Sequence, residues 1–508
     1  MHNILEYLEM HSNDVENRSI FGDKNGVLTY ESMCFLSQKI GSAIAKSGKI
    51  HRPVAVYLDK SIDGLACFFG TIYSGNFYVP IDREMPLERI KNIFQVLKPI
   101  AVISDRAIKD EYKEYFEGYH LQYIDSLKNE ESDKALLMSI RERAVDTDPI
   151  YALFTSGSTG MPKGVIVCHR SVISYAEWIK KTFLLDSNNI LGNQTPFYFS
   201  MSVFDIYGSL AAGASLYLIP KKLFMFPIEL CEYLNKKKID LIYWVPTALT
   251  MFNRFHALER IELPYLKKIL FAGEVMPTKY INEWRMRFPD ILYANLFGPT
   301  EITDIGTYCI LDREYSNEES LPIGNACTNV DVFVMSEDNE LIVEPEHEGE
   351  LFVRGSYLAL GYYNDWEKTK EVFVQNPLNT SYPETVYKTG DIVKYNGYGE
   401  LIYVGRKDFQ IKHMGNRIEL GEIESSVYSI REIENCACVL DKEKDWIVLF
   451  YSGEISKDAI AERCKERLPK YMIPNKIIKM RALPLNRNGK IDRGNLLRSW
   501  KNDLIKNI

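Results

Sequence analysis

The sequence predicts an α/β protein: a large N-terminal part with two βαβ-type, mostly parallel sheets and a barrel-like β subdomain, followed by a small α+β C-terminal domain. Three observations carry that expectation. Strand-like apolar runs alternate with helix-like amphipathic runs over the first three-quarters of the chain, the pattern of βαβ units on a parallel sheet. Residues 322–407 change to short β-like runs (VDVFVMS, GELFVRG, ELIYVG) separated by turn residues such as Asn396-Gly397. After GRKD (405–408), charged helical stretches mix with short strands such as CACVL and DWIVLFY.

The elements follow in order. RPVAVYLDK (52–60) reads as a buried strand and SIDGLACFFGTIYSG as the helix after it. IAVIS (100–104), IDLIYWVP (239–246) and LKKILFAGE (266–274) read as further buried strands. In such sheets, ligands bind beyond the carboxyl ends of the strands, and several Gly- or Pro-containing segments follow these strands directly. The expected division is a core over 1–407, itself split into α/β subdomains (1–320) and a β-rich subdomain (321–407), and a C-terminal domain over 408–508. Across 508 residues, about 150 residues per domain suggests roughly three units.

Composition excludes several classes. Hydrophobic residues make up 46% and charged residues 26%, ordinary for a soluble globular protein. A net charge of -8 argues against general nucleic-acid binding, which needs clustered Lys and Arg. The nine cysteines are scattered, and Cys436 and Cys438 form C-x-C rather than a zinc or redox pair. They read as free thiols in a reducing compartment. The N-terminus carries acidic residues and no long apolar run, so it is not a signal peptide. No stretch approaches the ~20 apolar residues of a membrane span. The expected location is the cytoplasm.

The strongest local signal is FTSGSTGMPKGV (154–165). Glycines let backbone N–H groups approach an anion, hydroxyls donate further bonds, and Lys163 adds charge, which suits a polyphosphate. The spacing is not that of a Walker A loop. This segment resembles the signature loop of the adenylate-forming superfamily, which comprises acyl- and aryl-CoA ligases, luciferases and nonribosomal-peptide adenylation domains. LTYESM (28–33), YSGNFYVPID (73–82), NLFGPTE (295–301), GELFVRG (349–355), YKTGD (387–391), GRKDFQIKHMGNRIELGEIE (405–424), LPKYMIP (468–474) and NRNGKIDR (486–493) resemble its other core motifs, in the family's order and over nearly the whole chain. The VPID and RIELGEIE wording is closest to carrier-protein adenylation enzymes, including D-alanine–carrier protein ligases.

The resemblance implies an activity: a carboxylate attacks the α-phosphorus of ATP, pyrophosphate leaves, and the acyl group passes to a thiol. It also implies roles. Thr155, Ser156, Gly157, Ser158, Thr159, Gly160 and Lys163 would cradle the leaving phosphates, and Glu301 would hold Mg²⁺, a hard cation that takes oxygen ligands. Thr300 would touch the α-phosphate. Gly273, Glu274, Asn295, Phe297 and Gly298 would line the nucleotide site, Asp391 would accept from the ribose hydroxyls, and Arg406 would approach the ribose and phosphate side. Lys490 would be the catalytic lysine, bridging substrate carboxylate and nucleotide. Asp408 would be the hinge of a mobile C-terminal domain that serves two half-reactions in turn.

One position departs from the family pattern. Enzymes for α-amino acids carry Phe-Asp after the third core motif, the Asp pairing with the α-ammonium. Here Phe199 is followed by Ser200, which cannot supply that charge to a desolvated ammonium. An ordinary L-amino acid, or D-alanine, is therefore disfavoured. Motif spacing assigns the pocket to Phe199, Ser200, Met201, Phe204, Tyr243, Leu270, Ala272, Leu296, Asp304 and Ile305, mostly apolar with polar handles at Tyr243 and Asp304. Two substrate classes follow: an aryl acid with a ring hydroxyl on Tyr243 or Asp304, or a β- or ω-amino acid with its ammonium on Asp304. Asp205 competes for that role if the register slips. Only fifteen residues follow Arg493, too few for the ~80-residue carrier unit, so a phosphopantetheinylated carrier protein acting in trans is implied. The alternatives are an acyl- or aryl-CoA ligase, a D-alanine–carrier protein ligase and a catalytically inactive nucleotide- or acyl-binding sensor; Lys490, Asp391, Glu301 and the phosphate loop together stand against the last.

Overall fold

The computed structural model describes residues 1–14, 16, 18–157, 161–407, 410–485 and 491–506, with side chains as far as Lys501. The chain divides into two compact units. The first is Met1–Arg83, Lys98–Leu153 and Gly164–Lys407; the second is Glu84–Leu97, Phe154–Lys163 and Asp408–Ile508.

The first unit holds three sheets. In the nine-stranded sheet, Ile20–Gly22, Ser215–Leu218, Ile190–Asn193, Leu241–Trp244, Lys268–Phe271 and Leu292–Phe297 run parallel in that spatial order. Antiparallel strands close its two edges: Val27–Thr29 beside Ile20–Gly22, and Thr307–Ile310 then Asn325–Ala326 beside Leu292–Phe297. The central strands Leu241–Trp244 and Lys268–Phe271 are buried except at Lys268, as a sheet covered on both faces requires. A seven-stranded sheet contains the parallel strands Pro53–Tyr57, Phe77–Pro80, Ala101–Ser104 and Leu121–Tyr123. The expected buried strands at 52–60, 100–104, 239–246 and 266–274 all lie in these two sheets. Between Val330 and Arg406, six strands form an antiparallel sheet, the half-barrel-like β part of this unit, while Gly361–Tyr362 joins the seven-stranded sheet.

Helices Ile62–Tyr73, His169–Thr182 and Met201–Ala212 each present several buried residues. Ser61 starts the first of them, its Oγ accepting from Gly64 N–H at 3.2 Å, which satisfies one of the donors left open at a helix N-terminus. Helices His169–Thr182 and Met201–Ala212 pack tightly: a Cβ added at Gly208 would lie 2.9 Å from Ile179 Cγ2.

In the second unit, Ile433–Asp441 and Trp446–Gly453 pair antiparallel and Lys476–Lys479 adds in parallel, with the helices Leu420–Tyr428 and Lys457–Arg467 beside them. Gln410–His413 and Asn416–Glu419 make a separate hairpin. Helix Leu87–Leu97 buries Arg89, Ile90, Ile93, Phe94 and Leu97, and Arg89 forms a buried ion pair with Glu422. All nine cysteines are free and buried. Among the described residues, no helix is long and apolar enough to cross a membrane.

Candidate active site

Four neighbouring parallel strands deliver most of the first unit's candidate residues. Ile190–Asn193 leads into the segment that carries Phe199 and Ser200, and then into the helix that begins at Met201. Tyr243 sits at the end of Leu241–Trp244. Ala272, Gly273 and Glu274 follow Lys268–Phe271. Leu292–Phe297 leads into Gly298, the short turn Thr300–Ile302, and Asp304. These are the carboxyl ends of adjacent parallel strands, where such sheets place ligands.

A polar group sits among aromatic walls there. Asp304 is 1% exposed. Its Oδ2 accepts from Tyr175 OH at 2.7 Å and from Tyr243 OH at 3.2 Å, and the Ser200 hydroxyl also bonds the carboxyl. Burial pushes the Asp304 carboxyl up to about 6, while the three hydroxyl donors pull it down. Thr300 Oγ1 lies 3.5 Å from Ser200 Oγ. The Phe204 ring packs on Tyr243 with centroids 4.5 Å apart. Leu270, Ala272, Leu296 and Ile305 are buried. Phe199 packs on Tyr198, centroids 4.6 Å apart. Met201 lies close to Gly273, whose φ is 88°.

Asp205 belongs to a different cluster. It is fully buried and its Oδ2 accepts from Asn193 Nδ2 at 2.8 Å. Lys60 Nζ donates to the carbonyls of Asn193 and Gln194 at 3.1 and 2.8 Å. Burial pushes Asp205 well above the carboxylate range and Lys60 down to about 7. Tyr175 and Lys60 were not singled out by the sequence. Both reach their partners across more than a hundred residues, and no local pattern announces such a contact.

The residues expected around the nucleotide occupy definite positions. Asn295 Nδ2 donates to Pro322 O at 2.7 Å, and the Phe297 ring faces Tyr403 at 5.6 Å. Glu274 Oε2 accepts from Thr247 N–H (2.8 Å) and Oγ1 (2.6 Å), tying it to the start of the helix Pro246–Arg254. At Gly298, a Cβ would lie 2.3 Å from Asp304 O and 2.7 Å from Ile305 Cα, so only glycine allows that backbone approach. Asp391 and Arg406 are cross-strand neighbours in an antiparallel pair, with Arg406 Nη1 3.1 Å from Asp391 Oδ1. Glu301 is fully buried and accepts from Tyr362 OH at 2.7 Å. Among the described residues no cluster of three or more metal-ligating side chains exists. A lone carboxylate still fits Mg²⁺, which is held by one or two carboxylates together with substrate phosphates.

The second unit holds the described part of the phosphate loop. Ser156 Oγ donates to Arg417 O at 3.0 Å and accepts from Glu419 N–H at 3.0 Å. Lys163 Nζ lies 3.7 Å from Glu419 Oε1, which also accepts from Gln410 Nε2 at 2.6 Å. A Cβ at Gly157 would lie 2.0 Å from Met161 O. Thr155 Oγ1 is buried. Ser158, Thr159, Gly160, Asp408 and Lys490 lie outside the described residues.

A parallel sheet with this constellation at its strand ends, joined to a small α+β part, defines an adenylate-forming ligase. The AMP-binding enzyme family matches residues 8–363 and the AMP-binding enzyme C-terminal domain matches residues 422–490. The chain belongs to that family of AMP-binding enzymes. It is 30% identical to zwittermicin A synthase ZmaJ of Bacillus cereus over 484 residues, covering 92% of this chain and 90% of that protein. It is 32% identical to the D-alanine--D-alanyl carrier protein ligase of Listeria monocytogenes over 486 residues, covering 92% and 93%. The fold matches that of an NRPS protein containing adenylation and PCP domains with a TM-score of 0.84 at 21% identity, over 98% of this chain and 84% of that one.

Proposed function

We propose that this ligase activates a β- or ω-amino acid, or a hydroxylated aryl acid, as its acyl-adenylate and passes the acyl group to the phosphopantetheine thiol of a separate carrier protein. The observation that carries the substrate reading is the displaced charge. By motif register Ser200 takes the position of the carboxylate that an α-ammonium needs, and its hydroxyl bonds a buried carboxylate, Asp304. The likeness to a carrier protein ligase supports the acceptor. CoA is the second acceptor to test.

In the first half-reaction a carboxylate oxygen of the acid bonds to the α-phosphorus of ATP, the bond to the bridging β-phosphate oxygen breaks, and pyrophosphate leaves. In the second, the thiol attacks the acyl carbonyl and AMP leaves. Positioning two anions and neutralising developing charge is the main catalytic task. Lys490 is assigned the bridge between the acid's carboxylate and the nucleotide, and Ser156, Gly157 and Lys163 the leaving phosphates. Thr300, whose hydroxyl lies beside that of Ser200, is assigned the α-phosphate. Asp391, held by Arg406, is assigned the ribose. Glu301 is assigned Mg²⁺, which when bound with ATP offsets phosphate charge.

The test is ATP–pyrophosphate exchange over a panel of proteinogenic amino acids, D-alanine, β-alanine, longer ω-amino acids and hydroxybenzoates. Exchange is expected with a member of the last three groups, and Lys490→Ala should abolish it. The adenylate should then load a phosphopantetheinylated carrier and not free CoA. Exchange driven best by an ordinary α-amino acid would refute the reading of Ser200.

A further inference from the structure

Tyr175 lies outside the pocket positions that motif spacing assigns, on the helix His169–Thr182, fully buried. Its hydroxyl and that of Tyr243, from a separate element, meet on one oxygen of Asp304 at 2.7 and 3.2 Å. Burial holds both phenols far above their ordinary range, so both stay protonated and can donate. Two donors on one carboxylate oxygen suit the ionised form, which only accepts; a protonated Asp304 would need an acceptor of its own.

Among the described residues, the groups that bond Asp304 are neutral hydroxyls. The groups that bond Asp304 are Tyr175 from one helix, Tyr243 from a strand, and Ser200 at the N-cap of the next helix. Asp205, Tyr151 and Cys327 lie near enough to feel its charge. Tyr151, Asp205 and Cys327 are themselves held protonated by burial. Among the described residues no Lys or Arg contributes to the charge state of Asp304. A buried anion stabilised only by neutral donors is costly, and a cationic ligand would remove that cost.

We propose that Tyr175 is a positioning residue for substrate selection: with Tyr243 it holds Asp304 as an anion in the acyl pocket, committing the pocket to an acid whose cationic amine lies beyond the α-carbon. This rests on the adenylation reading above, and it decides against the aryl acid. Near pH 7 Asp304 is ionised and binds the ammonium. As pH falls through about 6 it protonates and that attraction is lost.

Two measurements test it. The first needs no substrate: pH-dependent infrared difference spectra, with Asp304→Asn identifying the Asp304 carboxyl band. The band should titrate near pH 6 in the wild type and about one to two units higher in Tyr175→Phe, the shift a lost charge-assisted hydrogen bond produces. An unmoved band overturns the role of Tyr175. If Tyr175→Phe fails to fold, Tyr243→Phe removes the other donor from the same oxygen and should shift the band in the same direction. The second measurement is the pH profile of KM in exchange with the best ω-amino acid. KM should rise below about pH 6 in the wild type and from a higher pH in Tyr175→Phe, with kcat little changed. A hydroxybenzoate as best substrate, or a KM profile that Tyr175→Phe leaves in place, overturns the proposal. Absence of exchange with every acid would sink the adenylation reading, while the infrared titration still decides whether Tyr175 controls Asp304.

Discussion

At the scale of single residues, the site depends on backbone passing close to backbone. Gly298 is the sharpest case, because the atoms that would meet its Cβ are Asp304 O, Ile305 Cα and Gly306 N. These are main-chain atoms of the loop that returns Asp304 to the pocket, and they cannot rotate away. Gly298→Ala must open that loop and displace Thr300 and Asp304 together. A misplacement on the order of 1 Å costs roughly a hundredfold in rate, so exchange should fall by about that factor while the far-ultraviolet circular dichroism is unchanged. Much of this scale was legible in the sequence. The motifs gave the residues at the strand ends, and the missing carboxylate at Ser200 directed attention to Asp304. The two phenol hydroxyls on Asp304 were only half legible: Tyr243 falls on a strand end, whereas Tyr175 lies on a helix 129 residues away in sequence. Glu274 shows another limit. Its chain position suggests a nucleotide contact, but a tie to Thr247 depends on how one helix starts beside a strand end.

At the scale of elements, the helix that carries Tyr175 is placed by its neighbour. Gly208 lets the helices His169–Thr182 and Met201–Ala212 approach until Ile179 fills the space a side chain would take. Gly208→Val should overpack that contact and cost about 1–3 kcal/mol, read by denaturant titration. It should also shift the Asp304 titration upward by lengthening the Tyr175 bond. The strands of the parallel sheets announce themselves as continuous apolar runs because both faces are covered. The antiparallel region is legible for another reason: Asn396 and Gly397 punctuate it, and Asn396 Oδ1 does accept from the N–H groups of Tyr398 and Glu400. The three-residue strands Ile20–Gly22 and Val27–Thr29 are too short to show any period; the first is placed by pairing with residues almost two hundred positions on, and the second closes the edge beside it.

At the scale of the whole molecule, sequence order hides the composition of the second unit. Residues 408–508 read as a separate α+β stretch, yet helix Leu87–Leu97 and the segment Phe154–Lys163 group with it. The buried ion pair of Arg89 and Glu422 belongs to that grouping. Nothing near Arg89 in the sequence marks it as different from a surface arginine. Arg89→Met would leave Glu422 as a buried carboxylate without its cation, at a cost of about 3–5 kcal/mol. The double variant Arg89→Met, Glu422→Leu should recover most of that loss, and unfolding followed by hydrogen exchange at residues 420–428 would report both.

That patchwork has a consequence for how the protein is made. Helix Leu87–Leu97 turns Ile90, Ile93, Phe94 and Leu97 inward in a unit whose largest segment is the last hundred residues. At ~5–20 residues per second, roughly 20–80 s separate the synthesis of that helix from the synthesis of residue 508. Through that interval its apolar stripe has no partner from the C-terminal segment. The nascent chain therefore carries a sticky surface during its own synthesis, the kind of transient exposure that chaperones cover.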